Sequence, residues 1–288
     1  MFSTVPGVTA APPTSGLVAS AVRPDPADPA WEKWELGLAF VSERCGAGYQ
    51  LAPWCADTTT APSTSGFDPQ RAGAVYYRPV EARFADECST MGGPVDLERV
   101  RRVADATTPH AIARELWSGE GTLADPFDLP GGGTGTNAYL ASPDAEIVGA
   151  GDLPPRTGLG LLEQAAMEAS RGQQVYLHVP LGVLPQLDGA FRPVGSQLIT
   201  WAGNVLVADG AYPGDGPNGE AVGTSVWAYA TSPVVVLTSP LDLDRVETSR
   251  VNRGINTRTT WAFRLIAAVF DPCVHLAAQL ALTAPTNV

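Results

Sequence analysis

The hydrophobic pattern of this chain starts late. Residues 1–30 are dominated by Pro, Ala, Thr, Ser and Gly with no apolar period, which predicts an extended arm that another part of the protein must hold down. The first anchoring segment is Trp31-Glu32-Lys33-Trp34-Glu35-Leu36-Gly37-Leu38-Ala39-Phe40, which places two Trp within four positions. From Gln50 to Arg71 the composition turns loop-like again, through Thr58-Thr59-Thr60-Ala61-Pro62-Ser63-Thr64-Ser65-Gly66. Then Ala74-Val75-Tyr76-Tyr77-Arg78-Pro79-Val80-Glu81-Ala82-Arg83-Phe84, β-branched, aromatic and partly alternating, predicts a strand with an edge or a bend at Pro79.

Gly92-Gly93-Pro94 breaks the chain and opens the clearest helix, with Leu97, Val100 and Ala104 at helical spacing. Thr108-Pro109 predicts an interruption, after which a second helical segment is capped by Thr107 or Thr108 and puts Ile112 and Leu116 on one face. Ser118-Gly119-Glu120-Gly121-Thr122 ends it. A further helix is expected over Leu159–Ser170, stopped by Arg171-Gly172. Strands are expected at Val175–Pro180, Gln197–Trp201, Val205–Ala208, Val226–Thr231 and Val234–Leu237. The alternating tail from Thr257 to Val274 reads as a long strand pair closing the fold. The chain carries no internal repeat.

Composition sharpens this outline. At 288 residues and 44% apolar content the chain is long enough to bury a sizeable core, and its 17% charged share sits below the roughly 25% of ordinary domains. With 30 Gly and 26 Pro, loops and extended arms must be abundant. The formal net charge is -12 and Lys33 is the only lysine, so there is no bulk electrostatic reason to hold nucleic acid tightly or to bind an anionic membrane. No apolar run approaches the roughly 18–20 residues that span a bilayer, and Met1–Gly7 lacks the basic and apolar regions of a signal peptide. Cys45, Cys55, Cys88 and Cys273 are too scattered for a disulfide scaffold. Cys45 and Cys55 are close enough in sequence to pair across a short loop, but reduced cysteines are the expectation.

Candidate chemistry is sparse. His110, His178 and His275 have no acid partner or nucleophile at motif spacing, so each is expected to be a structural or surface histidine. No H-E-x-x-H, C-x-x-C or G-x-S-x-G motif occurs, and Lys33 follows Glu32 rather than a glycine run, which excludes a Walker A loop. Gly119-Glu120-Gly121-Thr122-Leu123-Ala124 matches G-x-G-x-x-A, but it follows a helix and precedes Pro126, so it reads as a helix stop. Gly131–Gly135 reads as a flexible loop. No cofactor, metal or catalytic residue is expected. Arg99, Arg101 and Arg102 form the densest positive patch, either paired with carboxylates of a neighbouring element or subunit or left as a solvated helix face.

The order of elements is more informative than any motif. A Pro-rich arm, an extended hairpin-like segment, a long helix ending in Glu115-Leu116-Trp117-Ser118-Gly119-Glu120-Gly121-Thr122 and a later α/β region resemble tailed-phage major capsid proteins of the Hong Kong 97-type fold. In that family the spine helix commonly ends in an apolar-apolar-x-Gly-Asp-Gly pattern, where this chain has Glu120. Val175–Pro180 followed by Leu184 and Leu187 looks like the axial-domain strand and helix, and Gly203-Asn204-Val205-Leu206-Val207 like the family's Gly-x-Pro-Val strand, with Val205 in the Pro position.

The resemblance implies an α+β shell subunit, not an enzyme, that assembles into pentamers and hexamers of an icosahedral head enclosing double-stranded DNA. It implies an N-terminal arm over 1–50 and an extended loop over 51–93. A peripheral domain would follow over 94–149 and 233–288, with an axial domain over 150–232. Trp31, Trp34, Tyr76, Tyr77, Arg78, Arg99, Arg101 and Arg102 are the candidate intersubunit contacts. Decoration, scaffold or portal proteins would be further partners, packaged DNA would be touched only weakly, and assembly would take place in the host cytoplasm before residence in the virion. With Lys33 alone, and before the loop, covalent Lys–Asn crosslinking of the family's kind is not expected. An encapsulin-like nanocompartment shell uses the same fold. A β-rich attachment or carbohydrate-binding protein, motivated by Trp31, Trp34, Trp54, Trp201 and Trp227, would instead need an exposed aromatic platform. An enzyme built on a carboxylate pair outside known motifs is the remaining alternative.

Overall fold

Strict side-chain alternation in the second half of the chain builds the centre of the molecule. The computed structural model describes residues 16–25, 31–41, 74–89, 97–129, 132–217, 219–220, 223–242, 251–252 and 257–282. In chain order these form α1 (Leu17–Ser20), β1 (Leu38–Val41), β2 (Ala74–Tyr77), β3 (Val80–Ser89), α2 (Leu97–Ser118), α3 (Glu120–Ala124), β4 (Phe127–Asp128) and β5 (Thr134–Gly135). There follow β6 (Glu146–Ile147), α4 (Pro155–Ala169), β7 (Tyr176–Pro180), β8 (Phe191–Val194), β9 (Gln197–Thr200), β10 (Val205–Asp209) and β11 (Ser225–Thr231). The last strands are β12 (Val235–Thr238), β13 (Val251–Asn252), β14 (Thr257–Val269) and β15 (His275–Ala281). Short 3-10 turns cover Trp34–Leu36 and Leu181–Leu187. The fold is α+β.

A seven-stranded mixed sheet runs in the order β6-β15-β11-β7-β10-β9-β8. Both of its faces are buried, and residue parity divides them. Tyr176, Val205, Val207, Trp227, Tyr229 and Ala277 point into a core shared with Leu17 and with Ala104, Ile112, Leu116 and Trp117 of α2. The intervening Leu177, Val179, Leu206, Val226, Ala228 and Leu276 point the other way, onto Leu159, Leu162 and Ala166 of α4. Each fully buried Leu or Val removes enough apolar surface from water to contribute about 1.5–3 kcal/mol. A one-residue slip would expose one such set to solvent.

The second sheet is a ribbon. β3 and β14 pair antiparallel from Val80↔Ile266 to Ser89↔Thr257, ten residue pairs that extend roughly 33 Å. β12 and β13 flank β14 at its two ends. The single strand expected over 74–84 is divided by Arg78-Pro79 into β2, which pairs with β1, and β3.

Several expectations are corrected. Pro109 does not interrupt the helix, because α2 runs unbroken for 22 residues. The proline lacks the N–H that would reach the Asp105 carbonyl. The hydroxyls of Thr107 and Thr108, read from sequence as caps, instead donate to the carbonyls of Val103 and Ala104, each at 2.7 Å. Val100, Ala104, Thr108, Ile112 and Leu116, spaced by four, all lie buried, so tertiary packing outweighs the break. His110 consequently stands in the middle of α2, exposed.

The tail does not close as a strand pair either. β14 belongs to the ribbon and β15 to the seven-stranded sheet, where it pairs with β11 and β6. The five residues between them, Phe270 to Val274, carry the chain from one sheet to the other. Cys273, in that turn, is disulfide-bonded, with its partner's side chain outside those described, so the expectation of reduced thiols does not hold there.

Candidate assembly surfaces

Segment 16–25 lies where the ribbon side and the seven-stranded sheet meet. Leu17 is 0% exposed. Its N–H donates to Asp209 Oδ2 at 2.9 Å, at the end of β10, while Asp209 Oδ1 accepts from Ala211 N–H. The Ser20 carbonyl accepts from the Tyr176 hydroxyl at 2.8 Å and from Gln197 Nε2. Val22 then bridges the edge of β12, its N–H donating to the Val234 carbonyl and its own carbonyl accepting from Val236. A stretch without hydrophobic period is thus held by one buried leucine and by backbone hydrogen bonds. The expected arm over 1–15 and 26–30 lies outside the described residues, as do residues 42–73 of the expected arm and loop and, with them, Cys45, Trp54 and Cys55.

Of the residues singled out in the sequence, Trp31, Trp34 and Tyr77 come together. Both tryptophans are half-buried against a cluster of Tyr77, Leu237, Ala267 and Val269. The Tyr77 side chain is committed within the chain, its hydroxyl donating to the Phe270 carbonyl at 2.7 Å. Burial pushes that phenol well above the usual tyrosine range. Tyr76, on the opposite side of β2, is half-buried. Arg78 is exposed, and its backbone is clasped by Asn137: the Arg78 N–H donates to Asn137 Oδ1 at 2.7 Å and Asn137 Nδ2 donates back to the Arg78 carbonyl. Arg99, Arg101 and Arg102 all lie on the exposed side of α2, where Arg101 pairs with Glu98 one turn away. Trp31 and Trp34 share a cavity with Asp105, Thr108 and Pro109 of the same helix.

The end of α2 is built by its glycines. Gly119 takes φ +62°, closing α2, and α3 starts at once. The Glu115 carboxylate reaches over this corner and accepts from the N–H groups of Gly121 at 2.7 Å and Thr122 at 3.1 Å. Burial raises its pKa, against the lowering effect of those two donors. Arg114 pairs with Glu120 on the outer side. The motif-like Gly119–Ala124 stretch is accordingly a structural corner.

The two buried histidines belong to core networks. Thr231 Oγ1 donates to the Ser232 carbonyl, so it accepts from His178 Nε2–H at 2.9 Å. Nδ1 then accepts from the Tyr212 hydroxyl at 3.0 Å. Neutral imidazole satisfies every partner, and burial, aided by His275, pushes His178 down to about 3. His275 Nε2 meets the Leu140 carbonyl, and burial lowers its pKa as well. Trp117 packs at a tilt against Tyr212 and meets Tyr229 edge-on, and it donates to Asp215 Oδ1 at 2.7 Å. These groups are aimed at each other rather than at an open cleft.

No family model matches the chain, and no curated protein matches it. Among solved structures it is similar to that of Mycobacterium phage Ogopogo, with TM-score 0.49 and 15% identity over 98% of this chain and 97% of that one. It is also similar to the capsid of the empty GTA particle, with TM-score 0.48 and 12% identity over 99% and 94%. The SrpI encapsulin of Synechococcus elongatus PCC 7942 gives TM-score 0.45 and 11% identity over 75% and 79%.

Sequence reasoning missed three structural contacts. Asp209 is an ordinary strand-end acid in sequence, yet it fixes the start of α1. Arg264 lies inside an alternating strand and reaches across to α2, donating to Asp105 at 2.9 Å and Thr108 Oγ1 at 3.1 Å beside the proline. Trp201 is 70% exposed in the β9–β10 turn, with its Nε1–H donated to the Gly189 carbonyl and Arg192 5.8 Å from its ring. Only Trp201 carried a usable signal, an aromatic two residues before the turn pair Gly203-Asn204. Trp227, by contrast, is buried.

Proposed function

We propose that this chain is the shell subunit of a tailed-phage head. The observation that carries the reading is one arrangement: the 22-residue helix α2 packed along the ten-pair β3–β14 ribbon, followed in the chain by the α4-backed seven-stranded sheet. A long helix followed by an α/β region is the order that the resemblance implies for a spine helix and an axial domain. The pinned segment 16–25 at the junction supports the same reading, since it is an arm without a core of its own.

In this reading α2 and the ribbon form the peripheral part of the subunit, and the sheet with α4 forms the part at the capsomer centre. Copies of the chain associate as pentamers and hexamers around double-stranded DNA. Trp31 and Trp34 precede the expected loop, Tyr76 and Arg78 fall in its later part, and Arg99, Arg101 and Arg102 line the outer face of the spine, as contacts between copies. The role is structural, with no catalytic step, and decoration, scaffold or portal proteins would join the shell from outside this chain. Purified protein expressed alone should sediment as closed particles or capsomers, visible in negative-stain micrographs. A stable monomer that binds a glycan would overturn the proposal in favour of an attachment protein.

A further inference from the structure

The two edges of the seven-stranded sheet carry opposite chemistry. At one edge β6 presents Glu146 and Ile147, both exposed, Ile147 by 53%, with exposed Asp144 two residues before. Asp144 and Glu146 also line a cavity of about 290 Å³ beside the β14–β15 turn. At the other edge β8 presents Arg192 and Val194, the latter 49% exposed, and the neighbouring turn presents Trp201. Among the described residues Asp144 accepts only from the hydroxyl of Ser142, and neither acid has a cationic partner. Arg192 lies over the Trp201 ring rather than on a carboxylate. Each edge therefore combines exposed apolar surface with a charge that has no opposite partner among the described residues, and the signs are opposite.

Two such edges on one sheet cannot meet within one molecule. They can meet between molecules, and a patch that recognises a different patch on an identical copy gives head-to-tail association, which closes into a ring when the rotation per subunit allows. A sheet edge also offers unpaired backbone groups to whatever lies beside it. We propose that the β8 edge of one copy docks on the β6 edge of the next, with Arg192 directed to Asp144 and Glu146, and Val194 and Trp201 covering Ile147. This rests on the shell reading above and names the surface by which neighbouring subunits would meet within a capsomer. The partner is a second copy because the chain as a whole is acidic, at net charge -12, so a basic aromatic edge finds its complement on that same chain.

The test is charge reversal and exchange, read by sedimentation of the full-length chain. Arg192→Glu alone and Glu146→Arg alone should each reduce the assembled fraction by about tenfold or more, since like charges then face each other across the contact. The double variant with both changes should restore assembly. Circular dichroism and thermal unfolding of each variant should match the wild type, because both positions are exposed. Undiminished assembly of either single variant overturns the proposal, and so does failure of the folded double variant to recover. Wild-type protein that never assembles overturns the shell reading, and this surface falls with it. Wild-type assembly together with unaffected single variants removes the edge contact alone.

Discussion

His178 is neutral where it sits, and that has a measurable sign. Its ordinary pKa is 6.5 and the folded value is about 3, so below pH 6.5 the unfolded chain binds a proton that the folded chain refuses. Its share of stability is complete above pH 6.5 and is lost as pH falls toward 3, at up to about 1.4 kcal/mol per unit. His275, lowered too, adds in the same direction. Urea unfolding at pH 7 and pH 5 should show the loss, and His178→Gln should flatten the slope. A slope equal to that of the wild type would exclude His178 as its source. That these histidines lack catalytic company was legible in the sequence from the missing motif partners. That they are locked by Tyr212, Thr231 and Leu140 was not, because those contacts span 34, 53 and 135 residues.

Helix α2 shows where element-level reading succeeds and where it stops. Local propensity marks Pro109 as a break, but the buried stripe from Val100 to Leu116 packs on the ribbon, and Arg264 ties Thr108 and Asp105 together beside the proline. Propensity is local, whereas the ribbon that overrides it comes from residues 80–89 and 257–269. The glycine signal at the helix end was read correctly as a stop, and its geometry makes a sharp prediction. Gly119 has φ +62°, and a Cβ there would fall 2.7 Å from the Tyr139 ring. Gly119→Ala should cost about 1–3 kcal/mol, read as a lower denaturant midpoint with unchanged m-value. Wild-type stability would show that the corner tolerates a side chain. The strands β7, β9, β10, β11 and β12 fell within a residue or two of their expected limits, since their apolar runs and flanking turn residues are local signals. The tail was misread because alternation reveals a strand but not the sheet it joins.

Across the whole molecule, segment 16–25 connects parts that the chain otherwise makes far apart: α2, the β12 edge and the end of β10. Leu17 is its one fully buried large side chain. Leu17→Ala should destabilise the folded subunit by about 2–5 kcal/mol, the range for a truncated core leucine. Calorimetry would check this, and a change below about 0.5 kcal/mol would mean that the backbone bonds alone hold the segment. The high Pro and Gly content pointed to loops and extended arms. The proposed edge contact needed the sheet order, because Glu146 and Arg192 become opposite edges only after five other strands are placed between them.

The position of β15 sets a timetable. This strand joins β6 to β11, yet in chain order it follows every other described strand. While the chain is being synthesised, β6 has no neighbour in the sheet and β11 has one open side until residues 275–281 have emerged. The β3–β14 ribbon can close before the seven-stranded sheet does, and the β6 edge takes its place only when β15 docks.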